Sequence, residues 1–318
     1  MIRKIAAPVL LTFVTLALTA FTLASNDRPP VQKQKLRKIV IDAGHGGSDF
    51  GASGKYSNEK TVSLAIAMAL QKEIEEQMPD VETYMTRTTD IFDNPIVKAN
   101  KANDAKGDLF IAIHCNWAPG ARHSEFIGYK TETYTKKVKG KKKTFTRKVK
   151  QYKTWYSPSP VKGTETFIWN INKTKAKEDA LQNHEDMFMD STTQKELEAF
   201  EKRDPEKMIL YSIKTKQFFD RSARLAQTVE EEFIKTGRNS RQAQQRGKGI
   251  WVLQAVAMPA ILVETGFISN PEEEDYLNSP EGQKEVAQVI TNAVKRYKFT
   301  LENKGAKPAE TTTGTTNK

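Results

Sequence analysis

Short apolar runs alternate with longer amphipathic stretches from residue 37 to residue 299, and this rhythm leaves few architectures open. "RKIVIDAG" reads as a buried strand at 37–43. "NEKTVSLAIAMALQKEIEEQM" reads as a helix, with Asn58 as its N-cap and Val62, Ala65, Ile66, Ala69 and Ile74 at helical spacing. "DVETYMTR" alternates like a strand at 80–87, and "DNPIVKANKANDAK" is a second helix that tolerates Pro95 in its first turn. "DLFIAIHCN" gives a continuous apolar strand at 108–114, and "GTETFIWN" another at 163–170. A long helix runs from "MILYSIK" to Gly237. "KGIWVLQ" and "PAILVETG" read as two further strands, followed by two helical segments capped near Asn270 and Ser279. Strands alternating with helices predict an α/β fold, a mostly parallel sheet with helices on both faces. The 318 residues suffice for one large or two modest domains.

Two stretches break the rhythm, on either side of the 163–170 strand. Residues 120–162 are rich in Thr, Tyr, Val and Lys, with Gly140 near the middle. They predict a two-stranded ribbon turning at 139–142, only marginally stable by itself. Residues 172–206 are polar and acid-rich, with a weak helical pattern. The net charge of +11 has one source. Residues 128–162 hold twelve Lys or Arg against one acid, Glu132, so the remainder is formally neutral. That segment suits an anionic polymer, an acidic partner or a lipid headgroup surface. Nucleic acid is the generic partner of such a run, but an exported chain would not be expected to meet it.

Export is what the first 25 residues predict. Arg3 and Lys4 precede an uncharged apolar run, Ala6 to Leu18, and then a small-x-small site at Thr22-Leu23-Ala24. This is the pattern of a secretory signal peptide. The alternative is an uncleaved anchor, since the run approaches the ~20 residues that span a bilayer. No cysteine follows it, which argues against a lipoprotein. The periplasm is the expected destination, with the cell wall or the exterior as the alternative. The single cysteine, Cys115, allows no intrachain disulfide, so the core or a metal must hold the fold. The tail 301–318 is expected to be disordered.

Chemistry concentrates at strand ends. In an open α/β sheet, ligands bind beyond the carboxyl ends of the strands. His45 lies just past the first strand, inside the glycine-rich "IDAGHGGSDFGASG". His114 ends "LFIAIH", Glu264 ends "AILVE", and Glu59 opens the helix after the glycine loop. Two histidines and two carboxylates therefore converge on one rim. Two histidines and a glutamate with an open fourth position form a catalytic zinc arrangement. The spacing is long, fourteen residues from His45 to Glu59 and fifty-five more to His114. Simpler readings stay open: each histidine could be a hydrogen-bonded structural residue, and Glu59 could favour only the helix dipole. A buried Glu264 would still need a partner. A phosphate cradle fits poorly, because Asp49 stands where a dinucleotide fingerprint needs its third glycine.

Taken together, "IVIDAGHGGSDFGASG", "NEK", "LFIAIHCN" and "MPAILVETGFISNPEEEDYL" resemble the zinc-dependent N-acetylmuramoyl-L-alanine amidases of the amidase-3 type. The resemblance implies a six-stranded sheet and a catalytic domain over 36–300, with insertions at 120–162 and 172–206. It implies a secreted enzyme acting on peptidoglycan in cell-wall remodelling or daughter-cell separation. The bond cut would be the amide between the lactyl group of N-acetylmuramic acid and L-alanine. Carried over by position, one zinc ion would be held by His45, Glu59 and His114, with Glu264 as the catalytic glutamate. The chain departs from the family at Gln254 and Lys98, where arginine is frequent, and in the 120–162 segment. Some periplasmic relatives carry a helix at the acidic segment that plugs the site until an activator protein displaces it. Glu185 in "NHEDMF" is the candidate plug within 173–205, with Glu178 behind it, unless these acids merely solvate an exposed helix. His123 and His184 read as surface residues. The rival readings are a catalytically inactive wall-binding or regulatory protein on the same fold, and another zinc peptidase of the wall.

Overall fold

The computed structural model describes residues 35–184, 187, 205–247 and 249–303. The strands are β1 (Lys38–Ala43), β2 (Glu82–Met85), β3 (Leu109–Asn116), β4 (Arg122–Val138), β5 (Lys141–Tyr156), β6 (Thr164–Ile168), β7 (Ser240–Gln245) and β8 (Ala260–Phe267). Six of them form one sheet in the order β2-β1-β3-β8-β6-β7. Every neighbouring pair is parallel except β6 with β8, so the sheet is mostly parallel as the rhythm predicts. The helices are α1 (Glu59–Gln77), α2 (Pro95–Asp104), α3 (Lys175–Asn183), α4 (Pro205–Lys235), α5 (Trp251–Ala255), α6 (Pro271–Asn278) and α7 (Pro280–Glu302).

The central strands read as unbroken apolar runs because both faces are buried. Ile39 and Ile41, Ile111 and Ile113, and Ile261 and Val263 pack with α1, α7 and the C-terminal half of α4. Val40, Phe110, Ala112, Ala260 and Leu262 face the other way, onto α2, α3 and α5. Helix starts are set by side chains. Asn58, Asn94, Asn270 and Ser279 each accept a backbone N–H of the first turn, a bond worth about 1 kcal/mol.

One expectation needs correction. "KGIWVLQ" forms no strand; Trp251–Ala255 is the short helix α5, and the sixth strand is the polar "SRQAQQ". An apolar run this short does not distinguish strand from helix. Asn103 holds the end of this helix: its Nδ2 donates to Ala255 O at 3.0 Å and its Oδ1 accepts Ala257 N at 2.8 Å. β7 escapes periodicity because it is an edge strand, paired only with β6 and largely exposed. The described start of the acidic segment is anchored to the core. At its start, α3 buries Leu181 and Lys177, and the Lys177 ammonium donates to Val256 O and Met258 O and lies 4.5 Å from the Trp169 ring.

β4 and β5 make a separate antiparallel ribbon, turning at Lys139–Gly140 where both residues have left-handed φ, as a tight hairpin turn requires. No described helix is long and apolar enough to cross a membrane. The 1–25 segment and Glu185 lie outside the described residues.

Candidate active site

The glycine loop leaves β1 at Ala43 and is clamped there by buried cations. Arg87 donates to the carbonyls of Ala43, Gly44 and Lys60. Lys98 donates to Ala43 O at 2.6 Å and pairs with buried Asp42 at 3.0 Å. Lys98 thus borders the cleft while its charge is already neutralised. The loop then turns through His45, whose φ of 57° is unusual for a residue with a side chain. Such strain clusters at functional sites. Gly44 is required by contact: a Cβ there would lie 2.5 Å from the His114 ring. Gly51, with φ of 65°, would likewise drive a Cβ into Glu59 and His45. Farther on, Glu274 of α6 accepts the N–H groups of Lys55, Tyr56 and Ser57, which fixes the approach to α1.

These constraints bring His45, Glu59 and His114 together. One ligand atom from each lies within 4.8 Å of the others, the one such group of three among the described residues. Glu59 Oε2 is 3.0 Å from His45 Nε2, and Glu59 Oε1 is 2.7 Å from His114 Nδ1. Backbone donors aim the carboxylate: Ala52 N–H to Oε2 and Cys115 N–H to Oε1. Glu59 therefore does far more than complement the helix dipole. Burial alone would raise its pKa, but the bonds from His114 and His45 hold it well below the usual carboxylate range. Asp49 Oδ2 lies 2.8 Å from His45 Nδ1, orienting the ring from its far side. Burial pulls His45 down, yet Glu59 and then Asp49 outweigh it and raise its pKa. A neutral His45 protonated toward Asp49 would point its Nε2 lone pair at a carboxylate. A proton or a metal ion between them relieves that opposition. Ligands at 2.0–2.2 Å around a tetrahedral zinc lie about 3.3–3.6 Å apart, within the 4.8 Å span of these donors, so the donor set fits a small divalent cation.

Glu264 stands opposite His114 in the β3–β8 register and lines the same cleft of about 470 Å³. It is 6% exposed, and its Oε2 is buried with no hydrogen-bond partner among the described residues. Burial pushes this carboxyl up to about 7, His114 opposing and Glu59 adding to the rise. A buried carboxyl kept unpaired inside a cleft is the signature of a group with chemical work. The four residues expected to converge from sequence do converge.

Other members were not legible. Glu165 of β6 faces Glu264 across the antiparallel pair and is held by Asn116 and Arg241. A glutamate inside the apolar "TETFI" was the available signal, since a buried carboxylate needs partners. Arg246, just past β7, lines the cleft with its guanidinium 5.5 Å from the Phe167 ring, and its charge opposes the rise of the Glu264 pKa. Gln254 is buried on α5 and does not line the cleft. Glu178 lies in the first turn of α3, also outside the lining. His123 stacks on Trp155 in the ribbon and His184 caps the end of α3, so neither joins the metal-capable group.

The comparisons with known proteins agree with this geometry. Residues 39–296 match the amidase-3 family model, N-acetylmuramoyl-L-alanine amidase. The chain is 30% identical over 276 residues to the N-acetylmuramoyl-L-alanine amidase AmiC of Escherichia coli, covering 86% of this chain and 54% of that protein. It is 39% identical over 101 residues to the sporulation-specific N-acetylmuramoyl-L-alanine amidase of Bacillus subtilis, covering 30% of this chain and 40% of that one. It thus spans about half or less of the length of these curated relatives. In fold, it superposes on the N-acetylmuramoyl-L-alanine amidase of Clostridium difficile 630 with a TM-score of 0.52 at 22% identity, covering 86% of this chain and 100% of that one. The chain belongs to the N-acetylmuramoyl-L-alanine amidase family.

Proposed function

We propose that this family member is a zinc-dependent amidase of peptidoglycan, hydrolysing the bond between the lactyl group of N-acetylmuramic acid and the L-alanine of the stem peptide. The observation that carries the reading is the unpartnered, buried Glu264 carboxyl in one cleft with the His45–Glu59–His114 cluster. A zinc ion held by those three side chains would supply a Lewis acid that lowers the pKa of a bound water and polarises the scissile carbonyl. Glu264 accepts the proton of the attacking water and delivers it to the departing amine of L-alanine, a general base and then a general acid. Asp49 fixes the His45 ring. Arg246, a cleft-lining cation, is placed to meet a free carboxylate of the stem peptide.

Mass spectrometry of fragments released from purified sacculi tests the reading. The expected products are stem peptides with a free L-alanine amino terminus and glycan with its lactyl groups intact, formed with zinc and not with chelator present. Cleavage between amino acids would instead identify a zinc peptidase. Absence of any release would favour a catalytically inactive wall-binding protein. Asp49→Asn should lower zinc affinity or activity by about 10–100-fold, the usual cost of losing a ligand's supporting carboxylate. Metal titration against the wild type measures it.

The cleft's regulation is the finer part of the reading. The 172–206 segment is a candidate autoinhibitor, with Glu185 as the plug. Because α3 is anchored in the core through Leu181 and Lys177, a clean test spares it. Replacing 185–204 by a short linker should raise basal sacculus hydrolysis by about 5–150-fold, the range of ordinary coupling free energies. An unchanged or lower rate would remove autoinhibition and the need for an activator. Export to the periplasm or wall follows from the substrate and from the expected signal peptide.

A further inference from the structure

The amidase reading uses nothing of the β4–β5 ribbon, although the chain's net charge resides in that region. From Arg122 to Tyr156 it carries twelve Lys or Arg and two Glu. Arg147 with Glu132 is its one ion pair among the described residues. The register sets Lys136 directly against Lys143 and Lys137 directly against Lys142. Like charges facing across a strand pair are destabilising, and a lone two-stranded ribbon has little stability to lose. Only two rungs oppose unlike charges, Glu132 with Arg147 and Glu125 with Lys153, so twelve cations against two acids leave an excess of ten positive charges, complementary to an anion outside the ribbon.

One face carries aromatic pairs together with the Lys136–Lys143 rung, whereas the Lys137–Lys142 rung points to the other face. By strand alternation, Trp155 and Phe145 of β5 share a face, ten residues or about 33 Å apart. His123 stacks on Trp155 at 5.5 Å and Tyr134 on Phe145 at 5.8 Å. Both rings of the second pair are exposed, Tyr134 by 44% and Phe145 by 38%. Half-exposed stacked rings beside cations, with the Arg147 guanidinium 5.6 Å from the Tyr134 ring, suit a chain of sugar rings bearing carboxylates. A bilayer-seeking hairpin would carry its rings at the tip, where this ribbon carries lysines. The root supplies direction. β3 delivers His114 to the cleft and is followed at once by Trp117, a cleft-lining residue 52% exposed, and then by the ribbon. The root is tied down by Ala118 N–H to Ser269 Oγ and Asn270 Nδ2 to Ser159 O.

We infer that the ribbon is an exosite for polymeric peptidoglycan: its aromatic pairs take sugar rings of the glycan strand, its lysines take stem-peptide carboxylates, and the bound strand leads to the cleft. The identity of the polymer rests on the amidase reading. Two variants test it, a ribbon shortened by removal of 131–148 and the substitution set K136Q/K137Q/K142Q/K143Q. The second removes two like-charge rungs, so the hairpin is not weakened by it. Both are expected to pellet with purified sacculi about tenfold less than wild type, and the wild-type difference should shrink as salt rises. Both should lose about tenfold in kcat/KM on sacculi through KM, with an unchanged rate on a soluble muramoyl peptide. Equal retention of wild type and variants on sacculi overturns the exosite, as does retention by anionic phospholipid vesicles or nucleic acid without retention by sacculi. If wild type cleaves neither substrate, the amidase reading fails, whereas pelleting still decides the exosite by itself.

Discussion

Glu264→Gln is expected to lower sacculus hydrolysis by about 10²–10⁴-fold, the usual contribution of a general acid–base group, with zinc content unchanged. The substitution keeps size and hydrogen-bonding shape and removes the capacity to exchange a proton. It separates two roles a carboxyl in this cleft can have. The metal-capable cluster is His45, Glu59 and His114, each with one donor atom within 4.8 Å of the others. Glu264 lies across the β3–β8 register from His114, and its Oε2 is without a partner among the described residues. As the proton carrier, its loss would spare the metal, and metal analysis of the purified variant would return wild-type stoichiometry. A fall in zinc together with activity would make Glu264 a ligand and transfer the proton work elsewhere. Stability also discriminates. Replacing a buried, unpartnered carboxyl by a neutral isostere should hold or raise Tm, because Oε2 has no hydrogen bond to lose among the described residues. A large drop in Tm would mark Glu264 as structural.

The legibility of this site follows from where each residue gets its constraint. His45, His114 and Glu264 end apolar strands, and Glu59 opens a capped helix, so local pattern and one topological rule place all four on the same rim. The caps Asn58, Asn270 and Ser279 are equally local, since each bonds N–H groups two or three residues ahead. What escapes is set by distant contacts. The helix over Trp251–Ala255 is held at its end by Asn103, about 150 residues earlier. β7 is an edge strand whose exposed face erases the apolar signal. Asp49 was visible only as an acid unsuited to phosphate, because its use depends on a His45 ring turned by a left-handed backbone. Glu165 needs Asn116 and Arg241 from two other strands. Of the two interruptions of the rhythm, the ribbon was legible through its Thr and Tyr alternation around Gly140, whereas the anchoring of α3 through a buried lysine contradicts what lysine ordinarily does.

His114→Ala and His45→Ala should each abolish stoichiometric zinc binding and reduce hydrolysis to background, and removal of zinc from wild type should do the same reversibly. The expectation of reversibility comes from Glu59. Its carboxylate is held by the N–H groups of Ala52 and Cys115 and contacts both His114 and His45. These bonds do not depend on a metal, so chelation should leave the fold intact. The loss of stability is then only that of a bound ligand, about 4 kcal/mol when free zinc had been 1,000-fold above its Kd. Readdition of zinc restores the rate. The histidine variants differ in kind. His114→Ala removes a partner from a buried carboxylate, at a cost of about 1–3 kcal/mol, and opens space beside Gly44, whose close approach to the ring is built into the loop. It should lower Tm even in chelated protein, where His45→Ala, at the better-exposed ring, lowers it less. Metal analysis, Tm with and without chelator, and the sacculus rate together decide the matter. If the histidines were structural alone, Tm would fall with no metal to lose, and chelation would leave the rate of wild type untouched.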